Sequence, residues 1–338
     1  MPATEQDRRP FQIGIGLGTT DPDGLRRAAA LADRGGITFV SVGDNPGHLL
    51  ETYVSLTLLA TSTSTCRVGT SMTNPLSRDP QVVASALSTL DRIAPGRVFL
   101  GISTGRARAA GRVQDLRDFL IALRELWTQG RTVHRGQEYE LSWEAHAVPI
   151  LVGASGPRSL RLAGELGDGV VIETGVSPDV MDDALAHIAE GALAAGKHLA
   201  DLELWWYLKS ALADTSKEAL ELGLAGLAAS AALVLGRDPA GRLVPERFHD
   251  ACRRARARYD MSSHVRTDGP DPNRQLVADP DFQAYLLDRY GCIGTPDEWR
   301  TRIATLRARG VERIFCAAVV PDREYFVSTA ADVLATIP

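Results

Sequence analysis

The chain has 338 residues, 44% hydrophobic and 23% charged, a balance typical of an ordinary globular protein. Its formal net charge of −5 argues against a general nucleic-acid-binding protein, which would carry a basic surface. Residues 1–12 are polar and lack the apolar segment of a signal peptide, and we expect no apolar run to be long enough to span a bilayer. The four cysteines are dispersed and form no metal-binding pair: Cys66, Cys252, Cys292 and Cys316. We therefore expect a cytoplasmic protein with reduced cysteines, no metal site, and no nucleic-acid or membrane partner.

Short apolar segments alternate with helical patterns along the chain. The first segment alternates Phe11, Ile13, Ile15 and Leu17 with small or polar residues, which predicts a strand with one apolar face. Eight such strands are predicted, at residues 11–17, 37–44, 66–72, 96–103, 148–154, 169–175, 201–212 and 311–319. Helical patterns follow them, at residues 21–36, 51–63, 80–93, 112–127, 158–167, 180–196, 296–310 and 323–337.

Three segments show patterns beyond the alternation of strands and helices. The helix at 80–93 carries one apolar stripe that consists of Val82, Val83, Ala86, Leu87, Leu90 and Ile93. Residues 131–143 indicate a surface hairpin with Arg135-Gly136 at its turn. A long, mostly helical stretch at about 216–290 follows the seventh strand, in which Trp205 and Trp206 should face opposite sides.

Strands that alternate with helices eight times predict a (β/α)8 barrel, the TIM barrel, with an insertion after strand seven. We expect one domain over residues 1–338. The alternative is a doubly wound open sheet, but the residues after the first strand lack the third glycine of its dinucleotide-binding motif. The barrel is preferred, and it would place the chemistry at the carboxyl ends of its strands.

Small residues gather where successive predicted strands end. Strands two to five run into the segments VGDNPGH, GTSMTNP, GISTGRA and VGASGP. Small side chains let a flat ligand lie close to the backbone. The pattern therefore predicts a flat ligand at this end of the barrel.

Three segments resemble the bacterial luciferase-like family of flavin and deazaflavin oxidoreductases. They are RVGTSMTNPLSRDPQVVASALSTLDRIAPGRVFLGISTG at 67–105, VPILVGASGPRSLRLAGELGDGVV at 148–171 and IGTPDEWRTRIATLRARGVERIF at 293–315. The TNP..RDP turn and the segment DNPGHLLETYVSLTLLA resemble the branch that uses coenzyme F420, which includes the methylenetetrahydromethanopterin reductases. The resemblance implies F420 as the cofactor, with FMN as the alternative.

The resemblance also implies where the cofactor would bind. In the F420 branch a non-prolyl cis peptide lies against the deazaflavin ring, and the matching residues are Ser71 and Met72. The GASGP turn before a helix would bind the cofactor phosphate, since free amides at a helix start favour an anion; its residues are Gly153, Ala154, Ser155 and Gly156. Thr104 and Gly105 would line the cofactor.

Proton-handling residues depart from the pattern of the related sugar-phosphate dehydrogenases. Those relatives carry a catalytic glutamate where this chain has Arg106, and a catalytic histidine where it has Asn45. Arg106 could instead bind a phosphate or a carboxylate. His48, Glu173 and Asp44 are our candidate catalytic residues: His48 lies near the missing histidine, Glu173 ends strand six, and Asp44 would hydrogen-bond the ring or position its loop.

The resulting hypothesis is an F420-dependent oxidoreductase that transfers a hydride to or from a small or medium organic substrate. Without the usual histidine and glutamate, it is expected to reduce a C=C or C=N bond. The alternatives are an FMN-dependent monooxygenase and a non-catalytic flavin-binding protein. Relatives are often dimers, which suggests a homodimer.

Overall fold

Eight parallel strands close into a barrel in the computed structural model, which describes residues 10–105, 113–264, 271–318 and 320–337. Strand β1 (Gln12–Gly16) pairs with both β2 (Phe39–Val42) and β11 (Arg313–Ala317), and this pairing closes the sheet. The barrel strands are β1 (Gln12–Gly16), β2 (Phe39–Val42), β3 (Arg67–Thr70), β4 (Val98–Ile102), β7 (Ile150–Ala154), β8 (Gly169–Ile172), β9 (Glu203–Leu212) and β11 (Arg313–Ala317). The predicted (β/α)8 barrel is confirmed, and the open doubly wound sheet is excluded.

Helices surround the barrel in the predicted order. They are α1 (Pro22–Arg34), α2 (Thr52–Ser62), α3 (Pro80–Ile93), α4 (Val113–Gln129), α5 (Pro157–Leu166), α6 (Pro178–Ala194), α10 (Pro296–Ala308) and α11 (Arg323–Ala335). Their apolar faces pack on the outward-facing strand residues, such as Ile13 and Ile15, which are completely buried. This outer layer between strands and helices is the largest hydrophobic core of the protein.

Aromatic side chains fill the inside of the barrel. The ring of Phe39 lies 5.0 Å from Phe99, 4.5 Å from Trp205 and 5.1 Å from Phe315, measured between ring centroids. All three contacts are edge-to-face, the arrangement that aromatic quadrupoles favour. Gly14 makes room for this layer, because a Cβ atom at Gly14 would lie 2.2 Å from Cζ of Phe39.

Strand β9 alternates between the two cores. Trp205 belongs to the cluster inside the barrel, and Trp206 packs in the outer layer, as predicted. Tyr207 again packs inside, with its ring centroid 5.0 Å from that of Phe315. The period of two along a strand therefore points Lys209 toward the inside of the barrel, one step closer to its carboxyl end.

A hairpin separates α4 from β7. Strands β5 (Arg131–His134) and β6 (Gln137–Glu140) pair antiparallel. Arg135 and Gly136 form the turn with φ angles of 52° and 76°. Two consecutive positive φ angles match the twist of a hairpin, so the predicted hairpin and its turn are confirmed.

In the described residues between β9 and β11, helices and helical turns predominate and one short strand interrupts them. It contains α7 (Ser216–Ala229), a wider helical turn at Ser230–Leu235, α8 (His249–Arg258) and α9 (Pro280–Tyr290). Strand β10 (Gly291–Gly294) then pairs with Lys209–Leu212 of β9. We did not predict β10, because four residues directly between two helices carry too short a pattern to recognise.

One helical segment contradicts our expectation that no part of the chain is long and apolar enough to span a membrane. Residues 216–235, in the described part of the chain, are long and apolar enough by length and composition to cross a bilayer. That expectation was therefore wrong. However, most of this segment is buried inside the protein, where α7 packs against β9 and β10. A core helix of a globular protein has this composition too.

The apolar stripe of α3 is wider than the face that α3 buries. Val83, Leu87 and Leu90 lie in the core, as the periodicity predicts. Val82 and Ile93 were assigned to the same stripe but are 50% and 45% exposed. The barrel wall contacts a narrower arc of the helix than the apolar residues cover, so apolar surface remains on the outside.

We expect Gly14→Ala to lower the free energy of unfolding by about 1–3 kcal/mol, since the new methyl group would overpack the aromatic layer. Gly16→Ala is the matched control on the same strand, because its Cβ atom would lie an ordinary 3.6 Å from Phe315. Urea denaturation of both variants measures the difference. Equal free energies of unfolding in the two variants would show that the aromatic layer accommodates the extra methyl group without loss of stability.

Candidate functional site

One half of the barrel mouth is lined by glycine and backbone. On β4 and β7 the inward positions above the aromatic layer are Gly101 and Gly153. A Cβ atom at Gly153 would lie 3.2 Å from Cγ of Met72. One at Gly101 would lie 2.0 Å from the carbonyl oxygen of Thr70 and 3.0 Å from the sulfur of Met72. The side chain of Met72 packs on the aromatic cluster from above. Met72 therefore occupies space that larger residues on two neighbouring strands would fill.

The peptide bond between Ser71 and Met72 is cis, as predicted. The chain on both sides of it is tied to the barrel: the Ser71 amide donates to the carbonyl of Val42 at 2.8 Å, and the Thr73 amide donates to that of Gly101 at 3.0 Å. The segment thus bridges β2 and β4 across the end of β3. Contact of this peptide with a cofactor ring stays a prediction.

Asp44 is buried under the loop that follows β3. Its side chain is 1% exposed and accepts hydrogen bonds from the hydroxyls of Thr52, Thr73 and Ser77 and from Arg78. Burial raises the pKa of this carboxyl, but the bonds from Thr73 and Arg78 outweigh burial and lower the pKa below its ordinary value. The ionised carboxylate positions the loop; its predicted contact with a ring and its catalytic role stay predictions.

His48 lies in a turn after β2 and is exposed to solvent. Its amide donates to the carbonyl of Asn45 at 2.9 Å, which forms the turn. The structure gives the imidazole no burial at the barrel mouth. Its catalytic role therefore stays a prediction without support from the geometry.

The other half of the mouth is charged. Glu173 follows β8, and its carboxylate accepts a hydrogen bond from Nζ of Lys209 at 3.0 Å. The Lys209 side chain is 8% exposed and that of Glu173 is 34% exposed, so the pair runs from the barrel interior to its opening. Nζ of Lys209 also lies 4.3 Å from the ring centroid of Tyr207, a favourable cation–π distance.

Sequence reasoning named Glu173 but missed Lys209. The signal was present, because Lys209 is a single charged residue in the otherwise apolar run LWWYLKSAL. A buried lysine at an inward position needs a partner or a function. The alternation of inward and outward side chains along β9 would have shown that Lys209 points into the barrel.

The GASGP turn leads into α5 as predicted. Gly156 is the N-terminal cap of the helix. Its amide donates a hydrogen bond to the hydroxyl of Ser159 at 3.2 Å. Gly153 and Ala154 end β7, and Ser155 is half-buried between strand and helix. Phosphate binding by these residues stays a prediction.

Arg242, from the insertion, reaches the start of α5. A Cβ atom at Gly156 would lie 2.7 Å from Nη2 of Arg242, so the guanidinium packs directly on this glycine. Burial lowers the pKa of Arg242. A cation at the positive end of a helix dipole is a repulsive arrangement that an anion would relieve.

Arg289 holds Arg242 in that place. It is 2% exposed, and its guanidinium donates to the carbonyl of Thr174 at 2.9 Å, of Arg242 at 2.7 Å and of Leu243 at 3.3 Å. A further bond at 2.7 Å goes to the hydroxyl of Tyr285. Arg289 thereby fastens the insertion to the loop that follows β8.

Thr104 and Gly105 follow β4 and are half-buried. Gly105 has a φ of +74°, and a Cβ atom there would lie 2.8 Å from Cβ of Asn74. Glycine is therefore required both by the backbone and by the packing. Arg106, our candidate anion-binding residue, lies outside the described residues.

The residues present fit a flat ring with an anionic tail. Met72, Gly101 and Gly153 form a wall of backbone and thioether without bulky side chains, which a ring can approach closely. The start of α5 and Arg242 supply amides and a cation for an anion. These are the features that a deazaflavin or a flavin nucleotide requires.

Comparisons with known proteins identify the family of this chain. Residues 9–313 match the luciferase-like monooxygenase family. The chain is 28% identical over 342 residues to a 5,10-methylenetetrahydromethanopterin reductase of Methanolobus tindarius, covering 92% of this chain and 96% of that protein. It is 30% identical over 241 residues to an F420-dependent glucose-6-phosphate dehydrogenase of Kineococcus radiotolerans, covering 63% and 72%.

A solved structure shares the fold. The coenzyme F420-dependent tetrahydromethanopterin reductase from Methanopyrus kandleri superposes with a TM-score of 0.74 at 21% identity, covering 95% of this chain and 97% of that one. The family match extends over most of the sequence, from before β1 into β11. The chain therefore belongs to the luciferase-like monooxygenase family.

Proposed function

We propose that this protein is an F420-dependent oxidoreductase that exchanges a hydride with a small or medium organic substrate. The division of the barrel mouth into a backbone-lined half and a charged half is the observation that carries the proposal. F420-dependent dehydrogenases and a 5,10-methylenetetrahydromethanopterin reductase among the similar proteins support it. Bound F420 would supply or accept the hydride, and the protein would supply placement and a proton.

The backbone-lined half is suited to hold the ring. Met72 and the glycines at 101 and 153 would contact it, and Thr104 and Gly105 would line its edge. The turn from Gly153 to Gly156, with Arg242, would hold the phosphate. No bulky side chain on β4 or β7 stands in the way at the described positions.

The charged half is suited to handle the proton. Hydride transfer to one atom of a C=C or C=N bond requires a proton on the other atom. Lys209 would donate that proton from its ammonium group, and Glu173, which is partly open to solvent, would return one. This pair replaces the histidine and glutamate that the dehydrogenase relatives use.

An FMN-dependent monooxygenase is the second candidate, because the matched family is described by that activity. Formation of an oxygenated product with reduced FMN and oxygen, absent without the protein and absent with reduced F420, would favour it. A non-catalytic flavin-binding protein is the third candidate. It would bind a cofactor and turn over no member of a panel of enones, imines and ketones.

We also propose a homodimer formed through α2 and α3. Helix α2 contains no charged residue, and its Val54 is 62% exposed. The neighbouring α3 exposes Val82 and Ile93. Exposed apolar side chains on two neighbouring helices favour association with a second copy across a twofold axis.

The protein should bind F420 at least tenfold more tightly than FMN, a difference of about 1.4 kcal/mol. The basis is the resemblance of the segments after strands two and three, DNPGHLLETYVSLTLLA and the TNP..RDP turn, to the F420 branch. Equilibrium titrations followed by absorbance and fluorescence measure both dissociation constants. Equal or tighter FMN binding would replace F420 by FMN as the cofactor.

Lys209→Met should lower turnover of a panel substrate at least about 100-fold, the usual effect of removing a general acid. Its F420 affinity should change less than threefold. Lys197→Met is the control, since Lys197 donates to the carbonyl of Gly167 before β8, at the opposite end of the barrel. Undiminished turnover in Lys209→Met would remove the charged pair from the mechanism.

Val54→Glu combined with Val82→Glu should convert the dimer into a monomer, because two buried carboxylates would face their own copies. Light scattering coupled to gel filtration measures the mass. Leu193→Glu is the control, since Leu193 is 70% exposed on α6. A monomeric wild-type protein, or a dimer that persists in the double variant, would contradict this interface.

A further inference from the structure

Asp44 collects donors from two different loops. Its Oδ2 atom accepts from the hydroxyl of Thr73 at 2.7 Å, from that of Ser77 at 2.9 Å and from Nη1 of Arg78 at 2.6 Å, all in the loop after β3. Its Oδ1 atom accepts from the hydroxyl of Thr52 at 3.1 Å, at the start of α2. One buried carboxylate therefore joins the loops that follow β2 and β3.

Arg78 contributes the charged part of this junction. Its Nη1 bonds to Asp44 and its Nη2 bonds to Glu51, each at 2.6 Å. The guanidinium also lies 4.9 Å from the ring centroid of Tyr53. The side chain is 17% exposed, so two carboxylates and one aromatic ring hold it in a single orientation.

The junction is connected to the wall of the barrel mouth through Thr73. The Thr73 amide donates to the carbonyl of Gly101, and its carbonyl accepts from the amide of Ser103, both at 3.0 Å. Thr73 is therefore bonded to β4 through its backbone and to Asp44 through its side chain. Met72 is its direct neighbour and depends on both attachments for its place.

We propose that Arg78 is a positioning residue for the cofactor: through Asp44 it fixes the segment from Ser71 to Thr73 as the wall on which the ring rests. The inference rests on the proposed function. Arg78 itself makes its bonds to Asp44 and Glu51 and acts through them. Without the guanidinium, Asp44 would keep its hydroxyl donors but lose the charge that compensates its burial.

The charge state of Asp44 is consistent with this role. The pKa of Asp44 is lowered in the folded protein despite burial, so the carboxylate is ionised at neutral pH. A group with a lowered pKa stabilises the fold above its unfolded value of about 3.9, and that contribution is lost as the pH falls below it. At neutral pH the Asp44–Arg78 pair is therefore fully formed.

The test compares Arg78→Met and Arg78→Lys with a matched control, Arg92→Met. Arg92 is on α3, where its guanidinium lies 4.9 Å from the ring of Trp143 and donates to the carbonyl of Glu144. Arg92→Met therefore loses a similar cation–π contact and a hydrogen bond, away from the barrel mouth. Dissociation constants for F420 are measured by fluorescence titration, and thermal unfolding shows that each variant is folded.

We expect Arg78→Met to weaken F420 binding at least tenfold and Arg78→Lys to restore part of the loss. Arg92→Met should bind within twofold of the wild type, even where its unfolding temperature falls equally. Wild-type affinity in folded Arg78→Met would overturn the proposal. If Arg78→Met does not fold, Glu51→Gln takes its place, with an expected loss of at least threefold and unchanged affinity as the contrary result.

Hydrogen exchange of the cofactor-free protein separates this proposal from the proposed function. Amides of the segment 71–78 should exchange at least tenfold faster in Arg78→Met than in the wild type or in Arg92→Met. Unchanged amide exchange rates in this segment would refute the role of Arg78 in fixing it. A wild-type protein that binds neither F420 nor FMN refutes the proposed function instead, and the exchange result then decides on Arg78 alone.

Discussion

The packing of Phe39 inside the barrel is the constraint on which the rest of the structure depends. Its ring meets three other aromatic rings edge-to-face, and Gly14 leaves the space that it needs. This layer makes the barrel interior a packed core rather than a channel. Chemistry is therefore confined to the layer above it, where the strands end.

That upper layer differs between the two sides of the barrel because the inward residues differ. Glycines occupy the inward positions of β4 and β7, so backbone and Met72 form that side. Glutamate and lysine occupy the corresponding positions beyond β8 and on β9, and they neutralise each other at 3.0 Å. Under the proposed function, the first side would hold a flat ring and the second a reacting polar group.

The loops above the barrel are held by charged groups of different kinds. Asp44 and Arg78 form an ion pair between the loops after β2 and β3. Arg289 instead donates its hydrogen bonds to neutral oxygens: three carbonyls and the hydroxyl of Tyr285. Both arrangements compensate buried charge, and both fix a chain segment at the mouth that has little apolar surface of its own to bury.

The sequence by itself determined the eight strand–helix units, the hairpin turn at Arg135-Gly136 and the opposite directions of Trp205 and Trp206, because these follow from local periodicity and turn chemistry. It also identified the cis bond at Ser71-Met72, through family resemblance rather than local physics. Only the tertiary structure paired Glu173 with Lys209, surrounded Asp44 with four donors and exposed Val82 and Ile93. These features depend on the tertiary fold. The register that pairs Val171 with Trp205, for example, brings Glu173 and Lys209, which are 36 positions apart, into contact. No local pattern contains that register, since barrel closure sets it.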